Sequence, residues 1–156
     1  MVVWLVAAGC DPCLDVEGPF SGELGSGADA FSPLSDDAAV PYVRGPQGGT
    51  HVEASVRVQG LYLPAREEFR VKDLCQISFT IDDNGTQVGG FSAEPRVFTV
   101  VDEDARVGEH LGEPVVFFED ASGWVGATLR LWVGVTDRCG HRVEDERRIV
   151  IRDGGA

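Results

Sequence analysis

Hydrophobic and polar residues alternate along most of the chain from residue 40 onward. The clearest run is 127–136, in which every second residue from Ala127 to Val135 is apolar. Such alternation is typical of β-strands that bury one face, whereas no long segment has the helical period. Similar runs lie at 51–59, 75–81, 87–91, 96–101, 114–118 and 143–152. We therefore predict seven or eight strands within about 115 residues, the spacing of a β-sandwich.

The sequence Asp82-Asp-Asn-Gly85 lies between two of these runs. An Asn-Gly pair between alternating segments favours a two-residue hairpin turn, because both residues tolerate positive φ. The predicted fold class is therefore all-β, with antiparallel strands joined by short turns.

The segment 11–39 differs from the rest of the chain. It holds seven acidic residues, no Lys or Arg, and a Gly- and Ser-containing stretch. Few apolar side chains are available there to offset the entropy lost on ordering, so we predict a flexible acidic tether before a domain at 40–153. The alternative is a loop wrapped on the domain and anchored by Phe20, Leu24 and Phe31.

The chain is strongly acidic, with 26 acidic and 13 basic residues and a formal net charge of −13. A polyanionic partner requires a basic surface, so this balance argues against nucleic acid and against charge-driven binding to anionic lipid. No run of 18 apolar residues is present, so we expect no membrane-spanning helix.

Residues 1–10 are apolar and end in small residues before a cysteine. The sequence Val6-Ala-Ala-Gly-Cys10 resembles the end of a bacterial lipoprotein signal peptide, in which the cysteine is acylated. Ala7 stands where Leu is usual, and no basic residue precedes it. The resemblance implies lipidation of Cys10, a cell-envelope location, and membrane contact only through the lipid. The alternative is a first core strand within residues 2–7.

Two further resemblances concern the domain. The sequence 129–140, followed by a charged strand, resembles the last hairpin of bacterial immunoglobulin-like domains. The stretch 45–52 is similar to uncharacterised predicted lipoproteins of myxobacteria-type genomes. Together they imply an immunoglobulin-like β-sandwich at 40–153 with no assigned activity, and therefore no catalytic residue.

Four cysteines raise the question of pairing. Cys75 opens one strand and Cys139 follows another, and in an immunoglobulin-like sandwich these strands would be neighbours in one sheet. We therefore predict a Cys75–Cys139 disulfide, which would close a loop of about 65 residues and stabilise the fold by about 4 kcal/mol. Two buried thiols are the alternative. Cys13 is left over if Cys10 is lipidated, and otherwise the two are able to oxidise together.

Metal and cofactor signals are weak. Cys139-Gly-His141 suggests a copper site, but the spacing is short and Met1 is the only methionine available as an axial ligand. The acidic turns at 82–85 and 102–104 offer oxygen ligands without the spacing of a calcium loop. We expect no metal and no cofactor, with calcium at these turns left open.

The Gly-rich stretch 45–51 runs into the first strong strand and contains Gly48, Gly49 and His51. A phosphate cradle would require a helix after the loop, and here a strand follows. We therefore interpret the glycines as a tight turn and keep these three residues as a candidate loop site.

These observations favour a non-catalytic binding or structural module with a protein or glycan partner at the cell envelope. Trp132, on the polar face of the strand at 127–136, is a candidate partner contact because aromatic residues anchor interfaces. Packing of Trp132 under a neighbouring loop is the alternative. The competing function is a metal-dependent or hydrolytic enzyme that uses His51 or His141.

Overall fold

The computed structural model describes residues 13, 14, 16, 18–64 and 70–154, and within them the chain is almost entirely β-strand. The elements in chain order are β1 (Ser21–Ser26), β2 (Ser32–Pro33), β3 (Ala38–Arg44), β4 (Thr50–Gln59), the 3-10 helix η1 (Val71–Asp73), β5 (Cys75–Asp83), β6 (Thr86–Arg96), β7 (Thr99–Asp102), β8 (Val107–Val116), the 3-10 helix η2 (Ala121–Trp124), β9 (Thr128–Thr136) and β10 (Arg142–Asp153). In this part of the chain no helix is both long and apolar enough to be a candidate membrane span.

The strands form one mixed sheet of ten members. Its main path runs β2-β1-β4-β3-β10-β9-β5-β6, while β8 pairs with β4 and carries β7. Strand β3 joins the two parts of the sheet, because residues 38–42 pair in parallel with β10 and residues 42–44 pair antiparallel with β4. The first part of β3 therefore belongs to the side of the sheet that contains β10, and its last part belongs to the side that contains β4.

The inward faces of the strands form one hydrophobic core. Alternate residues of β9 are buried, as the sequence pattern predicts, and β4, β5 and β10 contribute their apolar faces in the same way. The largest fully buried side chains include those of Phe79, Leu24, Leu61, Ile77, Ile81, Leu129, Leu131, Ile149 and Ile151. The all-β prediction is confirmed. The expectation of antiparallel strands throughout is wrong at β3, which pairs in parallel with β10.

The predicted hairpin turn between β5 and β6 is also confirmed. Asn84 and Gly85 both have positive φ, 49° and 92°, as a two-residue turn of this kind requires. The Oδ1 atom of Asp82 accepts a hydrogen bond from the backbone amide of Gly85 at 2.8 Å. The acidic side chain therefore stabilises the turn through the turn's backbone.

The expected tether at 11–39 is wrong for the residues that the structure describes. Strand β1 pairs along β4 over residues 21–25, and the Leu24 side chain is fully buried. The amide of Leu24 also donates to Asp145 Oδ2 of β10 at 2.7 Å. The wrapped alternative is closer to what is found, and β1, β2 and β3 account for the strands beyond the predicted seven or eight.

If β1 belongs to the core, Leu24→Ala should lower the free energy of unfolding by about 2–5 kcal/mol, because it leaves a cavity. Leu14→Ala is the matched control, since that side chain is 77% exposed, and it should have almost no effect. Urea unfolding followed by circular dichroism measures both. Equal, negligible effects would restore the tether.

Candidate functional site at the disulfide end of the sheet

A disulfide joins Cys13 to Cys139, with Cα atoms 5.4 Å apart and a sequence separation of 126. The predicted Cys75–Cys139 bridge is therefore wrong, and Cys75 is a buried free thiol. Strands β5 and β9 are neighbours as expected, with Gln76 paired to Thr136. However, Cys75 lies on the inward face of β5, where it is 1% exposed, whereas Cys139 lies in the partly exposed turn.

The turn that carries Cys139 is organised by the carboxylate of Asp137. Oδ1 accepts the backbone amides of Cys139 and His141, both at 2.9 Å. Oδ2 accepts the amide of Tyr62 at 2.8 Å and lies 3.0 Å from Nδ1 of His141. The Asp137 side chain is fully buried, so these four contacts replace the water that the charge has lost.

His141 is held from two directions. Its ring stacks on Phe20, with centroids 4.6 Å apart and planes 16° apart, while Nδ1 faces Asp137. Asp137 accepts at this contact, so Nδ1 carries the proton and Nε2 is the nitrogen left to bind another group. Phe20 belongs to the segment just after Cys13, so this segment contacts the turn through both the disulfide and the ring stack.

The buried thiol of Cys75 lies close to the same carboxylate. Burial raises the pKa of Cys75 to about 12, and the negative charge of Asp137 adds to that effect. The Sγ atom lies 3.7 Å from the carbonyl oxygen of Tyr62, at the limit of a weak thiol hydrogen bond. Cys75 is thus held protonated and acts as a core residue and not as a nucleophile.

Asp137, Cys139 and His141 also offer ligand atoms that all lie within 4.8 Å of one another. Within the described residues, these three form the one group of at least three potential metal ligands whose ligand atoms lie this close together. The sequence contains the signal as Asp137-Arg-Cys-Gly-His141, in which alternate residues of a tight turn carry the ligands. Sequence reasoning considered Cys139 and His141 but missed Asp137 and the proximity of Cys13.

The candidate loop residues lie at the hairpin between β3 and β4, away from the turn that carries Cys139. Gly48 and Gly49 belong to the turn between β3 and β4, which is closed by a 2.8 Å bond from the amide of Gly45 to the carbonyl of Gly49. Gly48 has a φ of 86°, so it occupies the left-handed region that favours glycine. His51 follows in β4 and lines a shallow depression beside this turn, and it does not join the cluster around Asp137.

Trp132 lies half-buried on the outward face of β9, paired with Thr80 and Glu146. A Cβ atom at Gly134 would overlap the Trp132 ring, so the indole occupies the space that a side chain at this position would need. The Arg142 guanidinium is 5.7 Å from the ring centroid. The ring therefore packs on its own sheet, between glycine and arginine. Cys10, the expected lipidation site, lies outside the described residues.

In the two acidic turns considered for calcium, an aspartate side chain accepts a hydrogen bond from a backbone amide of the same turn. Asp82 caps Gly85, and Asp102 Oδ1 accepts the amide of Ala105 at 2.9 Å. Asp82 also faces Arg130 at 3.6 Å. These contacts engage Oδ1 of each aspartate.

A separate charged cluster lies between β6 and β8. Arg96 binds Glu113 through two contacts of 2.7 Å, and Nε2 of His110 lies 2.6 Å from the same carboxylate. Burial alone would raise the pKa of Glu113, but hydrogen bonds from Arg96 and His110 outweigh burial and hold the pKa below its ordinary value. The cluster fixes β6 to β8 and has the character of a structural ion pair.

Peptide mapping without reductant should find Cys13 linked to Cys139. Iodoacetamide at pH 8 should leave Cys75 unmodified in the folded protein, because its raised pKa keeps the thiolate fraction very small. Unfolding in guanidinium should expose Cys75 to full alkylation. A linked peptide that contains Cys75 would contradict the pairing.

The Glu113 cluster predicts acid sensitivity. A carboxyl with a lowered folded-state pKa stabilises the fold above its unfolded pKa, about 4.3, and that stabilisation is lost as the pH falls through the folded value. Glu113→Gln should lower the free energy of unfolding at pH 7 by about 2 kcal/mol. It should also flatten the loss of stability below about pH 4.3. Glu103 is exposed, so the control Glu103→Gln should leave the dependence of stability on pH unchanged. If wild type and both variants show the same dependence on pH, the stabilising role of Glu113 is refuted.

Comparison with known proteins found no matching family model, no matching curated protein and no matching solved structure. The disulfide end of the sheet combines a buried carboxylate, a held imidazole and a disulfide, with Asp137, Cys139 and His141 on one turn and Cys13 in the N-terminal segment.

Proposed function

We propose that the chain is a non-catalytic binding module with an immunoglobulin-like strand arrangement, anchored at a bacterial cell envelope through Cys10. The arrangement is supported by strand order. If β3 to β10 are taken in sequence as strands A, B, C, C′, D, E, F and G, the neighbours β3-β4-β8-β7 correspond to A-B-E-D. The neighbours β6-β5-β9-β10 then correspond to C′-C-F-G, which is the immunoglobulin pattern. The anchor is supported by the sequence before Cys10.

The observation that carries binding is an apolar row on the outward face of β3, β4 and β8. Val43 pairs with His51, and His51 pairs with Val116, so the three side chains project from the same face. Phe118 lies two residues beyond the end of β8, directly after the buried Phe117. Val43, Val116 and Phe118 are 39%, 48% and 62% exposed. Val43 and Val116 flank the half-buried His51, and exposed apolar side chains grouped in this way mark interaction surfaces.

The surroundings of the apolar row favour a protein partner with a basic rim. Glu53 lies two residues beyond His51 on the same strand face, and Glu119 and Asp120 follow Phe118 directly. Hydrogen bonds from Ser122 and Arg44 hold the pKa of Asp120 below its ordinary value, so the carboxylate stays charged. An exposed phenylalanine inside an acidic rim is complementary to an apolar anchor surrounded by Lys or Arg.

The second candidate is a hydrolytic or metal-dependent enzyme that uses His141. The contact between His141 and Asp137 favours it, because a carboxylate that orients an imidazole is part of many catalytic sites. The cysteine nearest to that pair, Cys139, is held in the disulfide and is not available as a nucleophile. We therefore favour the binding module.

The test compares two exposed valines. Val116→Glu introduces a charge into the apolar row, whereas Val101→Glu does so on β7, at a similar exposure of 52%. Cross-linking in envelope extracts of the source cells should identify a protein bound by wild type and by Val101→Glu, with at least tenfold less recovered by Val116→Glu. Recovery should fall at high salt because the rim is charged.

Melting temperatures of the three proteins provide the control for folding. A partner retained equally by both variants would refute the apolar row as the binding surface. Binding of a purified glycan that survives Val116→Glu and is lost with Trp132→Ala would instead favour a glycan site on the other face of the molecule.

A further inference from the structure

The disulfide places two sulfur atoms beside an imidazole and a carboxylate. Cys139, His141 and Asp137 offer ligand atoms within 4.8 Å of one another, and the sulfur of Cys13 is bonded to that of Cys139. In the oxidised protein neither sulfur is a thiolate, so the strongest ligands of the set are blocked. Both cysteines are partly exposed, so a reductant is able to reach them.

We propose that reduction of the Cys13–Cys139 disulfide opens a binding site for a thiophilic divalent cation of the Zn²⁺ type. The ligands are the thiolates of Cys13 and Cys139 and Nε2 of His141, with a water in the fourth position. Sulfur and imidazole ligands in a tetrahedral set are the combination that Zn²⁺ takes in proteins. The site is separate from the apolar row and does not depend on it.

Asp137 has the role of a positioning residue in this site. Its two oxygens already face four N–H groups, three from the backbone and one from His141 Nδ1. A carboxylate so occupied is a poor direct ligand. It does fix the orientation of the imidazole, as the carboxylate partners of metal-bound histidines do.

The reaction balances as follows. The S–S bond breaks as it accepts two electrons and two protons from a dithiol, which becomes a disulfide. Binding of the cation then releases the two thiol protons, and oxidation of the pair reverses both steps. The sulfurs must separate to about 3.8 Å for Zn–S bonds of about 2.3 Å in a tetrahedral site. Cys13 supplies this movement, because Cys139 is fixed in the turn by Asp137.

The test uses the chain with Cys10→Ser, so that Cys13 is the one cysteine left in the N-terminal region. After reduction by a phosphine, which becomes its oxide with oxygen from water, the protein should bind one equivalent of Zn²⁺ in calorimetry. With Co²⁺ it should show thiolate-to-metal absorption bands. The oxidised protein should show neither signal.

Variants assign the ligands. His141→Ala should weaken Zn²⁺ binding at least tenfold and alter the Co²⁺ spectrum, and Cys13→Ser should reduce the thiolate band to about half. His51→Ala is the matched control, because this histidine lies outside the cluster, and it should bind Zn²⁺ like the parent.

Three results would overturn the proposal: equal binding by oxidised and reduced protein, unchanged binding by His141→Ala, or reduced protein that binds no cation. If reduction unfolds the chain, addition of Zn²⁺ must restore the strand-rich circular dichroism spectrum. Failure to do so would also refute the site.

Discussion

The disulfide end of the sheet depends on one buried carboxylate, that of Asp137. A charge removed from water is tolerated only where hydrogen bonds replace its hydration, and Asp137 receives them from its own turn, from His141 and from Tyr62 after β4. These contacts tie the connection after β4 to the turn between β9 and β10. They also fix the direction of Cys139. Burial raises the pKa of the nearby Cys75 thiol, and the negative charge of Asp137 adds to that effect. Removal of this carboxylate would leave several buried N–H groups without acceptors.

The turn between β9 and β10 positions the N-terminal segment through direct contacts with Cys13 and Phe20. Cys13 is linked to the turn by the disulfide, Phe20 stacks on His141, and β1 then enters the sheet beside β4. In the chain-entropy model, a disulfide that closes a loop of about 126 residues stabilises a fold by about 5 kcal/mol. The acidic segment thus becomes ordered through a few specific anchors, Leu24 above all, although its composition lacks a continuous hydrophobic pattern.

The sequence predicts those strands that show an alternating hydrophobic pattern, and it does not predict strands that are held by a few isolated contacts. Period-two alternation locates β4, β5, β9 and β10, because each buries one full face. It does not reveal β1, whose burial rests on Leu24 and on a disulfide partner more than a hundred residues away. Strand adjacency was also predictable, since β5 does lie beside β9. The cysteine pairing was not, because it depends on which face of β5 Cys75 occupies and on where Cys13 lies.

The charge distribution connects the fold to its proposed partner. Arginines such as Arg57, Arg96 and Arg148 are engaged by carboxylates, with closest contacts of 2.7 Å to Glu109, Glu113 and Asp37 respectively. With 26 acidic residues for 13 basic ones, this pairing leaves a large excess of carboxylates that have no cation of their own. On the proposed function, Glu53 and Glu119 beside the apolar row would favour the approach of a basic surface. In this proposal the apolar side chains would supply the short-range affinity, whereas the surplus acids would set which partners approach.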